Sequence, residues 1–494
     1  MNGICVDLYN KLGKLRFSFV LAVFLEMVFS STTFLFFFLP VFLLADLISN
    51  KSYFRNALLI FTSLLFYVWG EATGVFLLVI LAFINLLFGR RIANVSSAKI
   101  KKIYLVAGIF TNLTVLFYFK YLFWVLSQFL VFCDLLGLSW GAVLPNLDSP
   151  HLPLGISFFV FHGISYLIDL YNRKVGDYKT TDFLTYFFMF PHLVAGPIVR
   201  FESVRQDIQN RKRDWDLFTW GVFRFILGIN KKVLIANSVA PIADICFYSN
   251  GQLTMADAWL GALAYTVQIY FDFSGYSDMA IGLAAMMGIR FQENFLAPYR
   301  SQSIKEFWRR WHVSLSTWFR DYLYFPLGGS RCSKLLTYRN LVIVFVLCGL
   351  WHGAQWTFLI WGLFHGCLLI LERTSFATFL TSLPVLAQRC YCMLMVVFGW
   401  VFFRANDLSQ ATSYFQSMFG FNGFEYQNSF GTVNLAVLFV GLAISLCSKQ
   451  LFNNSEIEVK SFNACLFGVN VALVLLSMAI LYTGARNPFI YFNF

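Results

Sequence analysis

Two histidines, His312 and His352, lie in strongly apolar sequence and carry the side chains best suited to chemistry there. His312 follows two arginines and a tryptophan, and His352 lies in Leu350-Trp-His-Gly353. Moving a polar ring out of water costs free energy, so an imidazole in apolar sequence requires a chemical explanation. Because the ordinary pKa of an imidazole is close to neutral, either ring could exchange a proton with a hydroxyl group. The alternative for His352 is a structural hydrogen bond to a neighbouring helix.

Residues 303–324, which contain His312, are predicted to form one amphipathic helix at the cytoplasmic interface. Aromatic residues recur at helical spacing, and Glu306 and Arg310 form an i,i+4 pair of favourable orientation. A basic helix above a membrane funnel suits an anionic acyl carrier, whose phosphates would accept charge-assisted hydrogen bonds. The predicted donor-binding residues are Arg309, Arg310, Arg320 and Lys334. The alternative is an interfacial anchor with a solvated basic face.

The elements that must position these residues are membrane helices. Of the 494 residues, 59% are hydrophobic and 60 are phenylalanine, so one water-soluble core cannot bury the apolar surface. Apolar runs long enough to cross roughly 30 Å of hydrocarbon recur along the chain. They cover residues 33–48, 57–88, 104–137, 152–171, 183–197, 217–247, 258–289, 341–371, 392–403, 433–447 and 464–483. We predict an all-α polytopic membrane protein with about eleven to thirteen crossings or partial crossings.

Basic residues orient these helices. The net charge of +12 comes from short segments around residues 90–102, 200–213, 305–310 and 331–339, which the positive-inside rule assigns to the cytoplasm. Residues 140–153, 249–257 and 422–432 carry no Lys or Arg and are predicted to be external. With Arg339 at the cytoplasmic interface, the rise of a helix places His352 about 20 Å deep, near mid-membrane. Gly349 and Gly353 would let a helix or a substrate approach closely.

Residues 104–137 leave the number of crossings open. About 35 apolar residues could form two spans, whereas the charge rule requires an odd number between Arg91 and Trp140. Lys120, in the middle of this run, indicates a bent or re-entrant piece. We expect residues 1–26 to be an N-terminal extension and residues 27–494 to form a single membrane domain.

Other polar residues are predicted to be structural. Asp272 and Asp278 lie well apart around one helix, so we expect helix-helix contacts or cavity shaping rather than a catalytic carboxylate pair. His162, His192 and His365 lie in apolar sequence without a second polar signal. The ten cysteines lack metal-ligand spacing, so no metal site is predicted. No Walker loop, nucleotide fingerprint or Gly-x-Ser-x-Gly elbow occurs in the sequence.

Several motifs resemble those of the membrane-bound O-acyltransferase superfamily, and within it the alginate O-acetyltransferase-like branch, which includes peptidoglycan O-acetyltransferases. They include Glu293-Asn-Phe295, Glu306-Phe-Trp-Arg-Arg-Trp-His312, Leu350-Trp-His-Gly353 and Trp400-Val-Phe-Phe-Arg404, with further stretches at residues 190–200, 270–282 and 321–329. The resemblance covers nearly all of the chain from Met27 onward. Leu296, where the family often has Asn, is a departure that leaves both histidines untouched.

The resemblance implies a ring of about eleven transmembrane helices, with shorter re-entrant and interfacial helices, around a central tunnel open to both faces. It implies that His352 is the catalytic residue and that His312 is the second active-site histidine. We expect Trp311, Trp351 and Ser316 to line the tunnel. His352 would act as a general base on a hydroxyl that attacks an acetyl thioester, or would itself carry a transient acetyl group, and both routes remain open.

By the same resemblance, the chain is expected to be an O-acetyltransferase of the bacterial cytoplasmic (inner) membrane. The donor would be acetyl-CoA, used as a substrate, with no bound cofactor. The acceptor would be a hydroxyl of an extracytoplasmic acetyltransferase or acceptor protein, which passes the acetyl group to an exported polysaccharide, as in alginate biosynthesis. Membrane lipids would surround the chain, and nucleic acid is not an expected partner.

Two alternatives stay open. One is a D-alanyl transferase fed by a carrier-protein thioester. The other is a polytopic transporter or flippase for a glycan intermediate, because intramembrane ionisable residues also mark transport pathways. Against the transporter, the sequence contains no inverted repeat and no pair of short helices interrupted by glycine or proline.

Overall fold

The computed structural model describes residues 28–138, 150–248, 253–425, 428–447 and 464–482. Within these ranges all regular secondary structure is helical, and no strand occurs. The predicted all-α polytopic class is therefore confirmed. The expected extension at residues 1–26 lies outside the described residues.

We number the helices along the chain. The first seven are α1 (Phe34–Asp46), α2 (Ser52–Gly70), α3 (Gly74–Asn94), α4 (Ala98–Leu135), α5 (Ile156–Tyr171), α6 (Thr180–Phe188) and α7 (Phe190–Leu193). The next five are α8 (Phe201–Gln209), α9 (Trp215–Tyr248), α10 (Met255–Met286), α11 (Ile304–Arg310) and α12 (Val313–Phe319). The last seven are α13 (Lys334–His352), α14 (Trp356–Leu371), α15 (Phe376–Ser382), α16 (Val385–Arg404), α17 (Leu408–Met418), α18 (Thr432–Cys447) and α19 (Ala464–Tyr482).

Among the described residues, length and apolar composition identify five helices that could each cross a membrane, namely α3, α4, α9, α13 and α16. The pair formed by α14 and α15, bent by 78°, would make a sixth. Shorter apolar helices of 10–17 residues lie in α1, α5, α18 and α19. About eleven crossings or partial crossings were expected from the apolar runs. In the described residues, some of these runs form full-length helices and others form shorter ones.

Helix α4 accounts for residues 104–137. It is a single helix of 38 residues, so this run supplies one helix rather than two, in agreement with the charge rule. Its hydrogen-bonding pattern changes to a π-helical turn at Phe117–Tyr121, which is a local bulge in an otherwise continuous helix. Lys120, which led us to expect a bent or re-entrant piece, lies in this turn. The irregularity is therefore a π-helical bulge.

Helix α10 lies at the centre of the fold, and every side chain from residue 264 to residue 286 is buried. Ion pairs tie it to α9: Asp272 pairs with Lys232 at 2.6 Å, and Asp278 pairs with Lys231 at 2.6 Å and with Arg224 at 2.7 Å. The expected helix contacts of the two aspartates are therefore confirmed. Sequence analysis did not single out their cationic partners, because they lie within a run that is apolar on average.

The apolar run at residues 341–371 forms a hairpin of α13 and α14 rather than one long helix. The two helices touch through their backbones. A Cβ atom at Gly349 would collide with the carbonyl group of Phe358, and one at Gly362 would collide with that of Phe345. Gly349 therefore admits a neighbouring helix, one of the two possibilities that its small size suggested.

Candidate active site

His352 is the last residue of α13 and is only 3% exposed. Three aromatic rings surround its imidazole at nearly perpendicular angles. The ring centroids lie 4.9 Å away for Trp351, 5.1 Å away for Trp361 on α14 and 5.0 Å away for Phe403 on α16. The imidazole is therefore held inside the protein and does not point at lipid.

The chain becomes exposed again soon after His352. Gly353 is extended, and Gln355 and Trp356 are exposed. The indole Nε1 of Trp356 donates a hydrogen bond to the Oε1 of Gln128 on α4, at 2.8 Å. His352 thus occupies a helix terminus next to the exposed turn of the α13–α14 hairpin, and its depth near mid-membrane stays a prediction.

His312 lies between two short helices, so the prediction of one amphipathic helix over residues 303–324 is wrong. α11 and α12 have seven residues each, and His312 adopts the left-handed conformation between them (φ 43°, ψ 57°). The backbone is held there by tertiary hydrogen bonds, from Leu296 N to Arg310 O and from Val313 N to Asn294 O, both 2.9 Å. Non-glycine residues in this conformation are strained and cluster at functional sites.

The aromatic residues of this segment are also not an interfacial stripe. Phe307, Trp308, Trp311, Leu315, Trp318 and Tyr322 are all buried in the hydrophobic core. The segment therefore folds into the protein and brings His312, which is fully buried, to the interior.

Asn294 orients the His312 ring. Its Oδ1 lies 3.1 Å from His312 Nδ1 and accepts a hydrogen bond from Ser314 Oγ at 2.8 Å, while its Nδ2 donates to Ser277 Oγ at 3.0 Å. Because the amide oxygen can only accept, His312 Nδ1 must be the donor in this pair. In the neutral ring, Nε2 then carries the lone pair.

Trp351 joins the two histidines. Its ring centroid lies 6.2 Å from that of His312 and 4.9 Å from that of His352. Phe158 and Phe161 of α5 pack against the same indole at 5.4 and 5.6 Å. The fold therefore brings both predicted histidines to one aromatic side chain.

A cavity of about 470 Å³, which we call the basic cavity, lies beside α11, α12 and α13. Its wall includes Arg309, Arg320 and Ser316, three of the predicted site residues. It also includes Lys305 and Arg373, which sequence analysis did not assign to the site. All four cationic residues are exposed, so they could meet an anion that enters from the face carrying the basic segments.

The other two predicted donor-binding residues lie elsewhere. Arg310 pairs with Glu306 at 2.7 Å and donates to the carbonyl oxygen of Leu296 at 3.0 Å, so it holds the segment before α11. Lys334 is exposed at the first turn of α13 and does not line the basic cavity.

A second cavity of about 460 Å³, which we call the apolar cavity, lies between α4, α5 and α13. Trp351 is part of its wall, together with residues such as Phe161, Trp318 and Leu350. Phe319 lines both cavities and separates them. Trp311 lines neither and packs 4.8 Å from Trp400.

Neither of these two cavities has a histidine in its wall. The basic cavity follows α13 as far as Cys348, which lies about one turn before His352. Trp308 lines the cavity, and Trp361 fills the space behind it, with ring centroids 5.6 Å from Trp308 and 5.1 Å from His352. These cavities therefore do not form an open passage to His352 in the described residues, and the tunnel stays a prediction.

Asp321 organises the rim of the basic cavity. Its carboxylate accepts hydrogen bonds from Arg320 and Arg200, each at 2.7 Å. Partial burial raises the pKa of Asp321, but the hydrogen bonds from the two arginines outweigh burial and leave the pKa below its ordinary value. The carboxylate is therefore charged at neutral pH and holds the Arg320 guanidinium at the rim.

Comparison with known proteins identifies the family of this chain. The family model for the membrane-bound O-acyltransferase family matches residues 65–411. The chain is 46% identical over 401 residues to a probable alginate O-acetylase of Azotobacter vinelandii, covering 80% of this chain and 78% of that one. It is 43% identical over 444 residues to the corresponding Pseudomonas aeruginosa protein, covering 88% and 84%. It is 33% identical to a peptidoglycan O-acetyltransferase of Helicobacter pylori, covering 96% and 99%.

Matches of this extent leave the family in no doubt. Together with the apolar helices, they account for the multi-pass membrane architecture. The chain belongs to the membrane-bound O-acyltransferase family and is a membrane enzyme that transfers acyl groups to hydroxyl groups.

Proposed function

We propose that this enzyme transfers an acetyl group from acetyl-CoA, bound on the cytoplasmic side, to a hydroxyl group presented on the extracytoplasmic side. One observation carries the proposal. His352 lies between the basic cavity, whose wall ends at Cys348, and the exposed residues Gln355 and Trp356 on the other side. A base in this position would be within reach of a donor from one face and an acceptor from the other.

The donor would bind with its phosphates at the rim of the basic cavity. Lys305, Arg309, Arg320 and Arg373 provide positive charge there. Guanidinium groups form strong, often bidentate hydrogen bonds with phosphate oxygens. The acetyl-bearing arm would extend along the apolar wall of α13 towards Cys348. Rotation of Trp308, and of Trp361 behind it, would give the arm access to His352.

His352 would act as the general base. It takes the proton of the acceptor hydroxyl as the oxygen attacks the thioester carbonyl, forming a C–O bond. The C–S bond then breaks, and the thiolate receives the proton from the imidazolium, which restores the base. Positioned bases of this kind contribute about 10²- to 10⁴-fold to rate. His312, held in one tautomer by Asn294, would place its Nε2 towards the reacting groups.

The acceptor would belong to an extracellular polysaccharide pathway. Two of the relatives are a probable alginate O-acetylase and a peptidoglycan O-acetyltransferase, and their names support a carbohydrate polymer as the final acceptor. We propose a bacterial inner-membrane location and an extracytoplasmic partner protein that carries the acetyl group from this chain to the polymer.

The test uses membrane vesicles from cells that make the complete polysaccharide secretion system, supplied with radiolabelled acetyl-CoA. We expect His352→Ala to lower acetyl ester formation by about 10² or more. His151→Ala is the matched control, because this side chain is 77% exposed and lies outside the site, and it should leave the rate unchanged. Protein level in the membrane is measured for each variant.

Three results would contradict the proposal. Full activity of His352→Ala would remove the assigned base. If ester formation required a D-alanyl carrier protein in place of acetyl-CoA, the enzyme would be a D-alanyl transferase. Uptake or flipping of a glycan intermediate without ester formation would identify a transporter.

A further inference from the structure

The end of helix α13 poses a hydrogen-bonding problem inside the protein. The last four carbonyl groups of any α-helix have no partner within the helix, and in an apolar environment each must find a donor. In α13 these carbonyls belong to Gly349, Leu350, Trp351 and His352. Gly353 N donates to the first of them, at 3.3 Å. The other three belong to His352 and the two residues before it.

Donors for these three carbonyls come from the π-helical turn of α4. Tyr121 Oη donates to the carbonyl oxygen of Leu350 at 2.8 Å. Lys120 Nζ donates to the carbonyl oxygens of Trp351 at 2.5 Å and His352 at 3.2 Å. Its third contact is Ser157 Oγ on α5, at 3.4 Å. Two adjacent residues of one distant helix thus complete the end of α13.

The charge of Lys120 also fits this position. No carboxylate of the described residues pairs with Lys120, whose contacts are two carbonyl oxygens and one hydroxyl. The C-terminal end of a helix carries partial negative charge, which a cation stabilises. An ammonium group has three donors and no acceptor, so the three contacts use all of them. The helix terminus takes the place of a counter-ion.

We propose that Lys120, assisted by Tyr121, is a positioning residue for His352. The inference rests on the proposed role of His352 as the base. Lys120 donates hydrogen bonds to the backbone carbonyl groups of His352 and of its neighbour Trp351. The Trp351 ring contacts both histidines. By fixing the last turn of α13 it fixes the direction of the imidazole. Small displacements of a catalytic group, of about 1 Å, can cost about 10² in rate.

The experiment compares Lys120→Met, Lys120→Arg and Tyr121→Phe in the vesicle assay. Methionine keeps an unbranched apolar side chain and removes both the charge and the donors. We expect Lys120→Met to lower kcat about 10- to 100-fold while the KM for acetyl-CoA changes less than about twofold. Lys120→Arg should recover most of the lost kcat, because it restores charged donors. Lys102→Met, at an exposed position of the same helix, should behave as the unaltered enzyme.

A second measurement does not depend on activity. Hydrogen exchange of backbone amides at the end of α13 should become faster in Lys120→Met than in Lys102→Met, since the cap that holds this turn is lost. Unchanged exchange there would overturn the proposal. The proposal would also be overturned if Lys120→Met lost both kcat and overall thermal stability and Lys120→Arg did not recover the kcat.

The two proposals fail in different ways. If His352→Ala is inactive and Lys120→Met retains full kcat, the positioning role is wrong and the proposed function stands. If His352→Ala is fully active, the proposed function itself is wrong, whatever Lys120→Met does.

Discussion

Replacing Asn294 by leucine tests whether the orientation of the His312 ring matters for transfer. Leucine is close to asparagine in size but cannot accept the hydrogen bond from His312 Nδ1 that measures 3.1 Å, nor the one from Ser314 Oγ that measures 2.8 Å. A buried donor that loses its acceptor costs about 1–3 kcal/mol. If about 2 kcal/mol of this cost appears in the transition state, the rate falls about 30-fold. We therefore expect a kcat decrease of this size in Asn294→Leu.

The assay is acetyl ester formation in membrane vesicles at saturating acetyl-CoA, with thermal unfolding measured on the same preparations. Ser277→Ala is the matched control. It removes the partner of the Asn294 amide nitrogen, at 3.0 Å, and leaves the acceptor of His312 in place. We expect less than about a threefold change in kcat for this variant, because the cost of about 1–3 kcal/mol for the unpaired amide donor of Asn294 should lower stability and not act on the His312 ring.

Two outcomes would refute the reasoning. If folded Asn294→Leu keeps its kcat, the tautomer of His312 does not contribute to transfer. If Asn294→Leu and Ser277→Ala lose activity equally, the network only supports the fold, and the specific bond to His312 is not the cause.

Two further predictions concern donor binding and helix packing. Arg373→Gln should raise the KM for acetyl-CoA about 10- to 100-fold with kcat unchanged, because a charge-assisted hydrogen bond contributes about 1.5–3 kcal/mol. Arg331→Gln, at an exposed position outside the basic cavity, is the control. An equal KM in both variants would exclude Arg373 from the donor site. Gly349→Ala should lower the thermal midpoint, since its Cβ atom collides with a backbone carbonyl of α14 and overpacking costs about 1–3 kcal/mol. Gly468→Ala, at a position with no atom within 4 Å of the added Cβ, should be neutral, and a similar midpoint for the two alanine variants would contradict the packing argument.

The sequence singled out the two histidines, but it did not predict the residues that surround them. Helical periodicity around His312 predicted one continuous helix, since it reports only which faces are apolar. The observed break depends on backbone hydrogen bonds to residues 294–296, which are contributed by a separate segment. Asn294 belongs to the motif Glu293-Asn-Phe295, yet nothing in its spacing from His312 indicated a contact.

The basic cavity contains only some of the residues predicted to bind the donor, for a similar reason. Arg309 and Arg320 line the basic cavity, whereas Arg310 turns to Glu306 and Leu296. Clustered basic residues predict the cytoplasmic face of the protein, and this prediction does not depend on how the helices are arranged. The direction of each side chain decides which cation reaches the basic cavity. Arg373, which follows α14 in a later part of the chain, also lines this cavity.

The sequence by itself determined that this is a membrane protein, that it is helical and which two imidazoles could do chemistry. These properties depend on composition and on local spacing. Only the tertiary structure decided that His352 ends a helix, that Lys120 and Tyr121 of α4 supply the donors for that end, and that both histidines meet at Trp351. The physical reason is the same in each case. A buried polar group must find a partner, but many distant residues could provide one, and packing of the whole chain selects among them.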